Sequence, residues 1–145
     1  MIDLNLKTSA SVEINATAEQ VWDAMTNPEK IKIYLFGTEA VTDWQVGSPI
    51  IFQGVYEGYE YKDKGNVLQN IPNELLEYNY LAQYSGLEDK IKNYSIVTYE
   101  IKIASESSVL LTWHQAGFAD RDKCEHTTKG LQAILEQIKS IAESK

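Results

Sequence analysis

Cysteine is nearly absent from this chain: Cys124 is the only one among 145 residues. No intramolecular disulfide can form, and nothing calls for an oxidising compartment. Basic side chains are also scarce. Thirteen Lys and Arg against twenty-one Asp and Glu leave a formal charge of −8, and the isoelectric point lies near 4.7. That balance repels phosphate backbones and anionic lipid surfaces, which argues against nucleic-acid and membrane-surface binding. The local basic pairs Lys62 and Lys64, and Lys90 and Lys92, stand beside Glu60, Asp63, Glu88 and Asp89, which cancel their field. Long apolar runs are missing too, and the first ten residues contain an acid and no continuous apolar stretch. Neither a membrane span nor a signal peptide is expected, and a cytoplasmic protein fits best. Metal ligands are few: Cys124 and His126 form a lone C-x-H pair without a second pair elsewhere, so no metal and no cofactor is assigned.

What the chain does have is hydrophobic patterning in 43% of its residues, enough for one domain of ordinary size spanning residues 1–145. Leu4, Leu6, Ala10, Val12 and Ile14 share one parity and predict a first strand. Thr17 followed by Gln20 is a capping-box pattern that opens a short helix carrying Val21, Trp22 and Met25. Pro28 then starts a second short helix, with Ile31, Ile33 and Tyr34 expected to face inward. From Ala40 onward the helical period gives way to strands near Glu39–Thr42, Ile50–Tyr56, Tyr59–Asn70, Glu74–Tyr84, Tyr94–Ala104 and Val109–Gln115, separated by Gly, Pro, Asn and Ser clusters. Asp120 is placed to cap a final helix of about 22–24 residues. Its apolar stripe runs through Cys124, Thr128, Leu131, Ile134, Leu135, Ile138, Ile141 and Ala142. An antiparallel meander closed by one long helix is an α+β arrangement with the helix on the concave face of a curved sheet of about seven strands.

Four segments strengthen this reading. They are Ala18-Glu19-Gln20-Val21-Trp22 with Thr26-Asn27-Pro28-Glu29, Asp43 to Pro49, Gly65-Asn66-Val67 before Ile71-Pro72-Asn73, and Leu110 to Phe118. In this order the chain resembles, over nearly its whole length, the helix-grip fold of the birch-pollen allergen and the START domains. Within that group it is similar to bacterial proteins related to the activator of the heat-shock chaperone ATPase. The terminal helix of similar proteins often carries glycine followed by tryptophan, whereas here Gly130 is followed by Leu131. The resemblance implies the fold; the scaffold itself hosts carriers, cyclases, hydrolytic enzymes and chaperone accessories.

A sheet gripping a helix leaves room for a small hydrophobic or aromatic molecule. The residues expected to line that room are Tyr34, Phe52, Tyr61, Tyr78, Tyr80, Tyr99, His114, Leu131 and Leu135. The tyrosines carry the expectation, because several inward phenols need mutual pairing, water, or a ligand with polar groups on an apolar frame. Tyrosine is also simply a good strand residue. His114 is placed toward the helix with Leu110 and Thr112, as a ligand contact or a structural residue, while Val109, Leu111 and Trp113 are placed on the opposite face. No catalytic residue is assigned. A cyclase-like enzyme using His114 and tyrosines as proton donors is the first alternative to a binding protein, and a chaperone-accessory role through a protein partner is the second. The acids, Asp63 among them, are read as solvated turn residues.

Overall fold

The structure, a computed structural model, describes residues 2–144. Strand β1 (Asp3–Ile14) leads into helices α1 (Ala18–Thr26) and α2 (Pro28–Tyr34), followed by β2 (Glu39–Val41), β3 (Pro49–Tyr56), β4 (Tyr59–Ile71) and β5 (Leu75–Tyr80). A single 3₁₀ turn at Ile91–Asn93 precedes β6 (Ser95–Ser105) and β7 (Ser108–Phe118), and α3 (Arg121–Glu143) ends the molecule. The strands form one antiparallel seven-stranded sheet in the order β1-β7-β6-β5-β4-β3-β2. From β2 to β7, strands adjacent in the sheet are consecutive in the chain, with the longest connection, residues 81–94, lying between β5 and β6. The first strand pairs with the last, so the sheet curls around α3, which packs on β1, β7, α1 and α2. This is the helix-grip architecture.

Local chemistry fixes each element. Thr17 accepts from the Gln20 amide while the Gln20 side chain accepts from the Thr17 amide, closing the capping box at the start of α1. Asn27 ends α1 and caps α2, where Pro28 occupies the first turn without leaving a donor unused. The β3–β4 hairpin turns on Glu57 and Gly58, both with positive φ, the two-residue turn whose twist matches paired strands. Asp120 accepts from the Lys123 amide at the head of α3, and the 23 residues of the helix fall within the expected length. Its far end is tied to the end of β1: Glu143 accepts from the Asn15 amide at 2.8 Å, and Lys139 donates to the Glu13 carbonyl at 2.9 Å.

The core lies between the concave face of the sheet and the three helices. Ile14, Val21, Met25, Ile31, Ile50, Val67, Leu76, Leu111, Leu131, Leu135 and Ile138 are almost wholly shielded from solvent. At roughly 1.5–3 kcal/mol per fully buried aliphatic side chain, this cluster is the main force holding helix to sheet.

Several expectations need correction. Ile33 is exposed, because α2 is only seven residues long and presents Ile31 and Tyr34 to the core, leaving Ile33 on the opposite side. Leu4 is exposed as well, near the end of β1 where the pairing with β7 is irregular. Strand β5 stops at Tyr80 and not at Tyr84, since beyond the isolated Lys64–Leu81 bridge the chain departs from its neighbour. The face of β7 is the reverse of the one expected: Val109, Leu111 and Trp113 are buried against the helices, and His114 is exposed on the outer surface.

Candidate functional site

Register builds the site. Phe52 on β3 pairs with Asp63 on β4, Tyr78 on β5 with Val97 on β6, and Val97 in turn with Gln115 on β7. Paired residues in a sheet share a face. All five therefore point to the concave side, where Tyr80 and Trp113 join them one step of the alternation away. Leu35, Phe36 and Thr38, in the link from α2 to β2, cover the row, together with Thr127 of α3. These side chains line an inner chamber of about 280 Å³ that is partly open to solvent. Leu35, Phe36, Thr38 and Asp63 also border an outer chamber of about 700 Å³, walled by Val55, Tyr56, Tyr59, Tyr61, Ala82 and Tyr84. The two therefore meet at a shared rim, and the outer one opens among exposed apolar side chains, with Phe36 and Tyr59 each 72% exposed.

Aromatic rings dominate the inner walls. Phe52 lies 5.5 Å from Tyr78 and 5.8 Å from Tyr80 between ring centroids, Tyr78 is 6.3 Å from Tyr99, and Tyr99 is 4.8 Å from Trp113. All four pairs are tilted or edge-on, the geometry aromatic quadrupoles favour. Tyr34 donates to the Met25 carbonyl at 2.8 Å. Tyr80 donates to the Asp63 carboxylate, whose other oxygen accepts from the Gln83 amide at 2.9 Å. Of the four buried side-chain polar atoms without a partner among the described residues, two belong to this aromatic cluster. The Tyr99 hydroxyl lies beside those of Tyr34 and Tyr78 without a hydrogen bond of good geometry, and the Trp113 indole N–H is unpaired. An unsatisfied buried donor costs on the order of 1–3 kcal/mol, so each is a place where an acceptor would be welcome.

Burial keeps these phenols neutral. It pushes Tyr34 and Tyr78 well above the ordinary tyrosine range. Burial raises Tyr80 too, and the neighbouring Asp63 carboxylate adds to it; for Tyr99, burial is reinforced by the adjacent Tyr34 and Tyr78 phenols. Each is a hydrogen-bond donor and a poor proton donor in neutral solution.

The nine residues expected at the site separate into groups. Phe52, Tyr78 and Tyr80 line the inner chamber, and Tyr61 lines the outer one, where its hydroxyl is 2.5 Å from that of Thr38. Tyr34 and Tyr99 lie fully buried behind the aromatic wall, and Leu131 and Leu135 belong to the packed core; none of these four borders either chamber. His114 is on the outer face and reaches neither chamber. Trp113 and Asp63 are the wall residues assigned elsewhere by sequence. Trp113 was legible, because Val109, Leu111 and Trp113 form the more apolar parity of β7 and such a row belongs on the buried face. Asp63 had a signal as well, since it shares the parity of Tyr61 on the strand expected over Tyr59–Asn70, but a carboxylate between Lys62 and Lys64 reads as a solvated turn until its pairing with Phe52 is seen. Gly130, followed here by Leu131, is on the solvent side of α3 with open space around it and bears on neither chamber.

Among the described residues, no cluster of three or more His, Cys, Asp or Glu is arranged to hold a metal ion, and no helix is long and apolar enough to cross a membrane.

Comparison with known proteins agrees with this architecture. ChR145 of Cytophaga hutchinsonii has 34% sequence identity and a TM-score of 0.80, with 99% of this chain and 96% of that one covered. An HSP90 activator from Plasmodium falciparum has 18% identity and a TM-score of 0.71, covering 93% and 94% of the two chains. DynU16, from the dynemicin biosynthetic locus, has 14% identity and a TM-score of 0.76 over 95% of this chain and 47% of its own. At such identities the last two share the fold alone. No curated protein matches the sequence. Residues 15–143 match the family described as Activator of Hsp90 ATPase homolog 1-like protein, and the chain belongs to that family.

Proposed function

We propose that this protein binds a small hydrophobic or aromatic molecule in the inner chamber, between the concave sheet and the helices. The observation that carries this reading is the 280 Å³ space walled by Phe52, Tyr78, Tyr80, Val97 and Trp113 and joined to an apolar vestibule. A cavity of about 150 Å³ accepts benzene, so the inner chamber has room for roughly two fused rings. Walls that are mostly apolar with a few fixed polar groups are the usual make-up of a ligand site. The unpaired Trp113 N–H and the neutral Tyr78 hydroxyl supply orientation. Binding is favoured over turnover because His114 faces away, and phenols held neutral by burial are weak acids.

The test is a titration with naphthol followed by heteronuclear NMR. The Trp113 indole resonance and the Val97 methyls are expected to shift saturably, while the indole of Trp44, which donates to the Thr26 carbonyl, stays put. Val97→Phe, which fills the chamber, should abolish those shifts in a protein that still melts cooperatively. Absence of saturable shifts at Trp113 with naphthol, flavone and a medium-chain fatty alcohol alike overturns the proposal.

A chaperone-accessory role is the second reading, supported by the family match and by the Plasmodium falciparum HSP90 activator of like fold. Measuring the ATPase rate of a purified Hsp90 with and without excess protein decides it: an unchanged rate removes this role.

A further inference from the structure

The charge on the chamber walls is one-sided. Among the described residues lining the inner and outer chambers, Asp63 is the only one that carries a charge; no Lys, Arg or His borders either space. Asp63 belongs to both, at the rim where they meet. It takes part in none of the ion pairs among the described residues. Its adjacent lysines are turned away: Lys62 and Lys64 alternate to the exposed face of β4, and Lys64 is paired with Asp89. The two partners Asp63 does have, the Tyr80 hydroxyl and the Gln83 amide, are neutral donors that leave its charge uncompensated. The rings of Phe52, Tyr78, Tyr80 and Trp113 line the same chamber, and an aromatic face attracts a cation. The chain as a whole, at −8, draws cations toward any low-dielectric cleft.

Resting on the chamber reading above, we propose that the ligand is a lipophilic ammonium: an aromatic body of about two rings carrying a protonated amine, with its charge against the Asp63 carboxylate and its rings among Phe52, Tyr78, Tyr80 and Trp113. A fatty or aromatic carboxylate is rejected for the same reason, because its charge would be desolvated beside Asp63 with no cation to offset either.

Three probes of nearly the same shape separate charge from hydrophobic fit: naphthylmethylamine, naphthylmethanol and naphthoic acid, titrated calorimetrically at neutral pH into the wild-type protein and Asp63→Asn. The amine is expected to bind roughly tenfold or more tighter than the alcohol, with the acid weakest. Asp63→Asn keeps an oxygen acceptor for the Gln83 amide and should collapse the ratio of amine to alcohol affinity to about one, that ratio within the variant being the readout. Alcohol binding as tight as amine binding, acid binding tighter than either, or an amine preference that survives Asp63→Asn overturns the proposal and leaves the chamber reading intact. Failure of all three probes overturns both. The wild-type ranking decides the question even if the variant does not fold.

Discussion

Two glycines show how much a single Cβ decides. Gly130 lies in the interior of α3, exposed, and a Cβ there meets nothing within 4 Å. Glycine in a helix interior costs backbone entropy with no compensating contact, so Gly130→Ala is expected to stabilise the protein by about 0.5–1 kcal/mol in urea unfolding. A loss of stability would mean that a contact requires the bare backbone there. Gly65 is the opposite case. Buried in β4, it lets the Asn79 carbonyl oxygen approach to 1.8 Å from where a Cβ would be, while the Asn79 side chain accepts from the Asn66 amide at 2.7 Å. Backbone cannot swing aside as a side-chain tip can. Gly65→Ala should destabilise by about 1–3 kcal/mol or more, and since Gly65 stands two residues from Asp63, it should also weaken ligand binding at the rim. Sequence marked both glycines, but only the approach of β5 tells the required one from the replaceable one.

At the level of the element, the best-specified pieces are those whose hydrogen bonds close locally. The Thr17–Gln20 box, the Asp120 cap and the Glu57-Gly58 turn are all closed within a few residues, which is why the sequence located them, while the Asn27 cap before Pro28 is equally local but was not read from it. Thr17→Ala removes one cap acceptor and should cost about 1 kcal/mol of stability. The cost should be read as a shift in the denaturation midpoint without a change in slope. Gln20→Ala, breaking the reciprocal half of the box, should act in the same direction, and no effect from either would show that packing of Val21, Ala24 and Met25 alone holds α1. Strand β5 and the stretch after it are the contrary example. Their composition matches a strand through Tyr84, yet pairing stops near Leu81, because strand length is set by the neighbour that supplies partners.

For the molecule as a whole, the buried phenols link stability to alkaline pH. Tyr34, Tyr78, Tyr80 and Tyr99 have folded values raised above that of the unfolded chain, first of all by burial. The unfolded form therefore loses protons first. Their contribution to stability is complete below the unfolded tyrosine value of about 10 and falls away as pH rises beyond it. Phenolate absorbance from these four is expected to appear together with loss of the near-ultraviolet circular dichroism. Ionisation of all nine tyrosines with the native spectrum intact would show that the aromatic wall is open to solvent. The acid limb runs the other way. Glu143, held below its usual value by the Lys139 ammonium and the Asn15 amide, favours the folded state above the ordinary carboxylate range and ceases to do so as pH falls through its lowered value.

The amino-acid sequence alone settled the α+β class, the strand-rich middle, both short helices and the long terminal helix. Each of these rests on periodicity or on caps that operate over a few residues. It also picked out Phe52, Tyr61, Tyr78 and Tyr80 as wall residues, because alternation on β3, β4 and β5 needs no knowledge of the partner strand. The inward face of β7 and the inward parity that Asp63 shares with Tyr61 were within its reach but were assigned the other way; what lay beyond it was which aromatics border space and which are packed behind it. That depends on cross-strand register and on where the α2–β2 link covers the sheet. Register is a relation between residues far apart in the chain, fixed only when the whole core closes around α3.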